Sequence, residues 1–322
     1  METILNFIGI DVSSQWLDIC SQDGSFKRIA NSPTEITEWV LSLPQSTALA
    51  MEATGCYHQL LASIAFERVH EVYVLNPRDV HYYAKGIGRR QKNDKTDAEI
   101  IRRYLCNEYE HLRPWEPATS NQTLIRVLTT HRATVVRHKQ AISMTCKDLP
   151  IELDALNEAL MALKKLIDEL ERTLVAAMKN ESTEQQKSFK AIKSIPGFGE
   201  LSAAFFANEI AGGNFKTVDQ FIAFLGLDLR YKDSGKKHGR RKLSKQGLSE
   251  GRRLLYNVAM AASRGAFKAM YEHYASRMTC TQALVAVMRK LIRIAFSVWR
   301  SQKTFDMAQY HSPIMQKAML SD

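Results

Sequence analysis

Asp94 and Asp97 lie three residues apart, just ahead of Ile100, Ile101, Tyr104 and Leu105, which recur at helical spacing. On a helix, positions i and i+3 share a face, so both carboxylates point the same way. Like charges at that spacing destabilise a helix by about 0.2–0.5 kcal/mol. A hard divalent cation such as Mg²⁺ takes oxygen ligands from one or two carboxylates and would relieve the repulsion. The competing explanation is an exposed acidic first turn favoured by the helix dipole, with Lys92 and Lys95 nearby. Two more acids bear on the choice. Asp11 ends the β-type run of residues 5–10, and Glu52 follows the short apolar run Thr47 to Met51. A lone acid after a strand is ordinarily a turn residue or a helix cap. Four acids in this order can instead converge on two metal ions about 4 Å apart. Unneutralised, they would repel one another strongly.

The surrounding pattern supplies elements able to carry them. After Asp11 and a short excursion over Ser13 to Trp16, Leu17-Asp18-Ile19-Cys20 resumes a strand. Asp23-Gly24 then turns the chain into a third strand over Phe26 to Ile29. Thr34 to Leu43 is helical up to Pro44, and Leu60 to Phe66 is helical again. Val72 to Leu75 forms another strand, and Asn76-Pro77 reads as a break. The order β-β-β-α-β-α-β-α predicts a mixed sheet covered by helices, with Asp11 and Glu52 at strand ends, where open α/β sheets place their sites.

Gly9-Ile10-Asp11, Glu52-Ala53-Thr54-Gly55 with Tyr57, Asn76-Pro77 and Asp94-x-x-Asp97-Ala98 resemble the DEDD transposases of the one-ten insertion-sequence family. That family includes the RNA-guided bridge recombinases and the pilin-gene invertases. Many relatives carry Thr before the third acid; this chain has Asn93, as some members do. The resemblance implies an α/β N-terminal domain of RNase H-like (RuvC-like) fold, with Mg²⁺, or Mn²⁺ as an alternative, on Asp11, Glu52, Asp94 and Asp97.

From Pro117 to Asn180 the character changes. Leu124 to His138 and Leu153 to Leu174 carry three- and four-residue apolar steps separated by Pro150, which predicts two long helices. They pair either within the chain or between protomers as a coiled coil. Arg126, Arg132, Arg137, His138 and Lys139 make the first of them basic, and no acid or cysteine completes a metal set with His131 and His138. Glu181 to Lys187 reads as a polar linker. The run Ile192 to Gly199 resembles a helix-hairpin-helix turn, in which the amides of Gly197 and Gly199 approach a phosphate; a ligand-free helix-helix turn is the alternative. Next comes the most basic tract, with Lys236, Lys237, Arg240, Arg241, Lys242, Lys245, Arg252 and Arg253 as nucleic-acid contacts and Tyr231 and His238 interleaved.

Asp233-Ser234-Gly235, Leu243-Ser244-Lys245-x-Gly247 and Arg252-Arg253-x-Leu255-Tyr256 match the C-terminal transposase domain of the same family. The family's nucleophile, the serine before glycine, maps to Ser234. By residue type alone, Ser234 and Ser244 are equal candidates. A serine hydroxyl needs a base, a metal or a positive field to act at neutral pH. Residues 257–270 and 281–299 read as helices.

The domain organisation expected is therefore 1–116 for the DEDD domain, 117–187 for the helical hairpin and linker, and 188–322 for the α-helical C-terminal domain carrying Ser234. The 322 residues carry a net charge of +10, which suits a polyanionic partner. No run approaches the ~18 apolar residues of a membrane span. The start lacks a signal-peptide pattern, and five cysteines without a C-x-x-C pair suit reduced thiols, so a cytoplasmic location is expected. The resemblance implies a DNA transposase or invertase acting through a serine–DNA intermediate, assembled as a dimer or tetramer and directed by a bridge RNA. A metal-dependent junction resolvase using water and a non-enzymatic nucleic-acid scaffold are the alternatives.

Overall fold

The computed structural model describes residues 6–53, 55–88, 94–213, 215–230, 242–308 and 310, with the backbone alone for Asp94 and Lys95. The chain divides into two compact units, Met1–Pro117 and Ala118–Asp322.

The first unit runs β1 (Asn6–Val12), β2 (Trp16–Cys20), β3 (Phe26–Ala30), α1 (Pro33–Leu41), β4 (Thr47–Glu52), α2 (His58–Glu67), β5 (Glu71–Leu75), α3 (Pro77–Gly86) and α4 (Asp94–Glu108). Its five-stranded sheet has the order β3-β2-β1-β4-β5. β2 is antiparallel to β1 and β3, whereas β1, β4 and β5 are parallel. The mixed α/β sheet expected from the sequence is present. Alternation along the strands splits the core in two. Ile8, Ile10, Val12, Leu17, Ile19, Leu49 and Met51 pack with α1 and α2 on one face. On the other, Ala48, Ala50, Tyr73 and Leu75 pack with Val80 of α3 and Ile100, Ile101 and Leu105 of α4.

Asn76-Pro77, read from the sequence as a break, starts α3 instead. The Asn76 side chain accepts from the Arg78 amide at 3.0 Å. Pro77 takes the first helical position, where its missing N–H costs nothing.

The second unit opens with α5 (Ser120–Thr145) and α6 (Asp154–Lys179), which pack side by side. Asn121 donates to the Asn180 carbonyl at 3.3 Å and Arg132 to Glu171 at 2.6 Å, so the pair is an antiparallel hairpin. Burial is concentrated at its base, where Ile125 joins Leu174 and Met178 in the core, with Ile167 buried farther along α6. α7 (Thr183–Lys193), α8 (Glu200–Gly212), α9 (Val218–Phe224), the two-stranded β6 (Leu229–Arg230) and β7 (Lys242–Leu243), α10 (Ser249–Ser263), α11 (Lys268–Ala275) and α12 (Cys280–Ser301) follow. Their core centres on α8, buried from Ser202 to Ile210, with Leu255 and Val258 of α10 and Val287 and Leu291 of α12.

Two local expectations change here. Glu181 to Lys187 is not a linker: Ser182 caps Gln185 at 3.3 Å and α7 begins at Thr183. The helix expected over 257–270 is broken after Ser263, because Phe267 turns fully into the core and donates its amide back to Ala262.

Candidate active site

Strand register brings the first two acids together. Ile10 pairs with Met51 across the parallel β1–β4 ladder, so Asp11 and Glu52 are the next residues along both strands. Side chains at register positions share a face, and Asp11 lies two residues beyond Gly9, so both acids stand on the α4 side of the sheet.

Gly9 explains how α4 reaches that position. A Cβ there would lie 2.2 Å from the Arg102 amide nitrogen and 2.3 Å from the Ala98 carbonyl oxygen. Helix backbone rests directly on strand backbone, a contact only glycine allows. At the other end of β1, the Phe7 ring meets Tyr109, just past α4, with centroids 5.3 Å apart. The helix thus runs opposite to β1, and its first turn, with Asp94 and Asp97, comes over the strand end bearing Asp11. Glu71 of β5 holds the far end, accepting from the Tyr73 and Tyr109 hydroxyls at 2.8 and 2.7 Å. Burial first, and then that carboxylate, push the Tyr73 phenol well above its ordinary value.

Asp11, Glu52 and Asp97 are all partly accessible. Their carboxylate oxygens are the hard donors that Mg²⁺ or Mn²⁺ prefers, so the residue types fit such an ion. Among the described residues, no three His, Cys, Asp or Glu side chains are gathered closely enough to hold one. The side chain of Asp94 lies outside the described residues.

Sequence reasoning passed over a fifth acid. Asp18 pairs directly with Asp11 across the antiparallel β1–β2 ladder, and Arg28 of β3 pairs with Asp18 in turn. A polar row, Arg28–Asp18–Asp11–Glu52, crosses the sheet on the α4 face. The signal was present: within Leu17-Asp18-Ile19 the alternation turns a charge to the side facing α4. Its significance needed the register.

The second unit carries the basic tract. Arg230 pairs with Lys242 and Leu229 with Leu243, so β6 and β7 bracket residues 231–241. Ser234, Lys236, Lys237, Arg240 and Arg241 lie outside the described residues. The foot of the hairpin is tightly built. Ser244 donates its hydroxyl to Asp228, and its amide donates to the Asp228 carbonyl at 2.9 Å. Lys245, at φ 53°, donates its amide to the Gly226 carbonyl at 3.0 Å. Lys242 and Lys245 are exposed.

Arg252 donates to the Leu225 and Gly247 carbonyls, both at 2.9 Å, stapling the two segments below the hairpin. Arg252→Met, which keeps the aliphatic stem and leaves both carbonyls short of a donor, is expected to lower unfolding stability by about 1–3 kcal/mol, read by urea denaturation. An unchanged midpoint would mean that the staple carries no weight. Arg253 makes a two-pronged pair with Glu250, which raises its already high pKa. Arg126 and Arg132, read as a basic helix face, also have internal partners: Arg126 donates to buried Glu209 at 3.0 Å and Arg132 to Glu171.

The turn between α7 and α8 has φ +96° at Gly197. A Cβ there would meet the Val258 carbonyl at 2.7 Å, so this glycine is required for packing on α10. Gly199 is exposed and caps α8 with no side-chain hydrogen bond. Beside it, the Lys193 ammonium at 2.5 Å holds the Glu200 carboxyl below the usual carboxylate range. No helix among the described residues is long and apolar enough to cross a membrane.

Comparison with known proteins accounts for both units. Residues 8–149 match the DEDD transposase domain model of the IS110 type, described as "Transposase". Residues 189–275 match the "Transposase IS116/IS110/IS902 family" model. The pilin gene-inverting proteins of Moraxella bovis and Moraxella lacunata are each 27% identical over 323 aligned positions, covering 93% of this chain and 97% of theirs. With a strand-end acid pair under an acidic helix turn in one unit and a basic hairpin in the other, this chain belongs to the IS110 family of transposases and is a DNA transposase/recombinase.

Proposed function

We propose that this enzyme cuts and exchanges DNA strands at specific sites through a serine–DNA phosphodiester, with Asp11, Glu52, Asp94 and Asp97 holding Mg²⁺. The observation that carries this is the register of Asp11 with Glu52 beneath the first turn of α4. The mixed sheet suits the RNase H-like class. A bound cation would offset the negative charge that builds on the phosphate and favour ionisation of the attacking hydroxyl. The protein's own residues do the rest. The Ser234 oxygen bonds to phosphorus while the bond to the leaving DNA oxygen breaks, and the serine proton is released as that oxygen becomes a hydroxyl. A second DNA hydroxyl then displaces the serine, so phosphodiester bonds are conserved and no nucleotide cofactor is consumed. Lys242 and Lys245 at the hairpin foot, with Lys236, Lys237, Arg240 and Arg241, hold the phosphates. Gly197 and Gly199 offer a further backbone contact, and Arg252 and Arg253 support the hairpin from below.

The hairpin tip favours a homo-oligomer: Met144, Ile151 and Met161 are 68%, 63% and 68% exposed there, apolar surface suited to a second copy. Dimers assembling to tetramers, and a bridge RNA on the basic surface, complete this reading. Similarity to the pilin gene-inverting proteins favours site-specific inversion as the second reading, since inversion and transposition share this chemistry and differ in the arrangement of DNA sites.

The test is covalent trapping with Mg²⁺, labelled DNA carrying the element ends and RNA from the native locus. A protein–DNA adduct on a denaturing gel, absent from Ser234→Ala, is expected. Cleavage without an adduct, undiminished in Ser234→Ala, would replace serine by water and make the enzyme a resolvase-type nuclease.

A further inference from the structure

Asp18 is a charged residue in the wrong place for a simple strand. Its side chain is 6% exposed, on the face covered by α4, and it stands directly opposite Asp11. Opposed residues in an antiparallel ladder have Cβ atoms roughly 4.5–5.5 Å apart. A buried carboxylate there adds a negative charge beside a group that already repels its neighbours. Burial of such a charge is tolerated only with a bonded counter-charge. Arg28 supplies it through a two-pronged clasp: Nε donates to Oδ1 at 2.7 Å and Nη2 to Oδ2 at 2.8 Å. Both Asp18 oxygens are thereby engaged by Arg28.

We infer that Asp18 and Arg28 form a charge-compensated pair that sets the cation affinity of the acid group, with Arg28 keeping Asp18 out of the ligand set. This rests on Asp11, Glu52, Asp94 and Asp97 being the cation ligands. Asp18 and Arg28 are positioning residues: neither need touch DNA or the ion. As a pair they are electrically neutral, so each alone shifts the local potential in the opposite sense. Asp18→Asn leaves a guanidinium beside the acids and repels the cation. Arg28→Gln leaves a fifth carboxylate beside them, attracting the cation and free to reach toward it.

The experiment is direct Mn²⁺ binding to the full chain without DNA, following the electron paramagnetic resonance signal of the free aquo ion. Asp18→Asn is expected to weaken Mn²⁺ binding about tenfold and Arg28→Gln to tighten it about tenfold, as a unit charge some way from a divalent ion would. The double variant Asp18→Asn/Arg28→Gln is expected to return close to the parent affinity. A purely structural pair predicts weaker binding in both single variants, in step with lower melting temperatures, and that result would overturn the inference. Asp11→Asn separates the two levels of the argument. If it leaves Mn²⁺ binding intact, the acid set itself is not the cation site. If it removes binding while Asp18→Asn and Arg28→Gln bind like the parent, only the pair's role fails. Should Arg28→Gln not fold, Arg28→Lys replaces it: the charge is kept, so parent affinity beside a weakened Asp18→Asn supports the inference, and equal weakening refutes it.

Discussion

Asp11→Asn is expected to lower DNA cleavage by about 10³-fold or more while leaving the first unit folded. The rate estimate follows from the several kcal/mol of charge stabilisation a metal supplies in phosphoryl transfer, each ~1.4 kcal/mol being a factor of ten. The stability estimate follows from the position. Asp11 is partly accessible at the end of β1, and Asn has nearly the same shape. Asp11 also stands next to Glu52 in register, so the substitution lowers the carboxylate charge gathered at this sheet edge. The gain in thermal midpoint on adding Mg²⁺ should vanish, because a ligand that binds only the folded state raises its stability. Cleavage assays and paired melts with and without Mg²⁺ measure both. Activity above a tenth of the parent would remove Asp11 from the catalytic group.

Gly9→Ala should act through geometry. The three nearest atoms to the new methyl, at 2.2, 2.3 and 2.7 Å, all belong to the backbone of α4 at Arg102 and Ala98, and no rotamer change moves them. The helix has to lift, unpacking Ile100, Ile101 and Leu105 from the sheet. Overpacking of a tight core costs about 1–3 kcal/mol and at times more; a helix pressed against strand backbone belongs at the upper end. The same shift carries the turn bearing Asp94 and Asp97 away from Asp11, so activity should fall even at temperatures where the protein remains folded. Gly86→Ala is the control: nothing lies within 4 Å of its added Cβ, and stability should change by less than about 0.5 kcal/mol. A Gly9→Ala protein as stable as the control would show that α4 can ride higher on the sheet without loss.

Much of the arrangement could be read from local pattern. Alternation and helical periodicity are properties of short windows, so they were enough for the element order of the first unit apart from α3, for Asp11 and Glu52 at strand ends, for the long helices of the hairpin, and for the helix carrying Asp94 and Asp97. Where the local signal had two uses, the sequence misled. Asn76-Pro77 is turn chemistry and also cap chemistry, and the polar run after Asn180 suits either a linker or an amphipathic first turn.

Charge was the least decisive property. Arg126, Arg132, Arg252 and Arg253 looked alike from composition, yet Glu209, Glu171, two backbone carbonyls and Glu250 engage them within the second unit. Those partners lie up to 83 residues away in sequence. Register is long-range in the same sense. The sequence alone determined that acids would end two strands and begin a helix. Tertiary structure decided that Asp11 and Glu52 are neighbours, that Gly9 lets α4 settle over them, and that Asp18 joins the row with Arg28 as its counter-charge. Strand pairing and helix docking are set by which surfaces bury together, and for Asp11 with Glu52 and Gly9 with α4 no short window of the chain contains both partners.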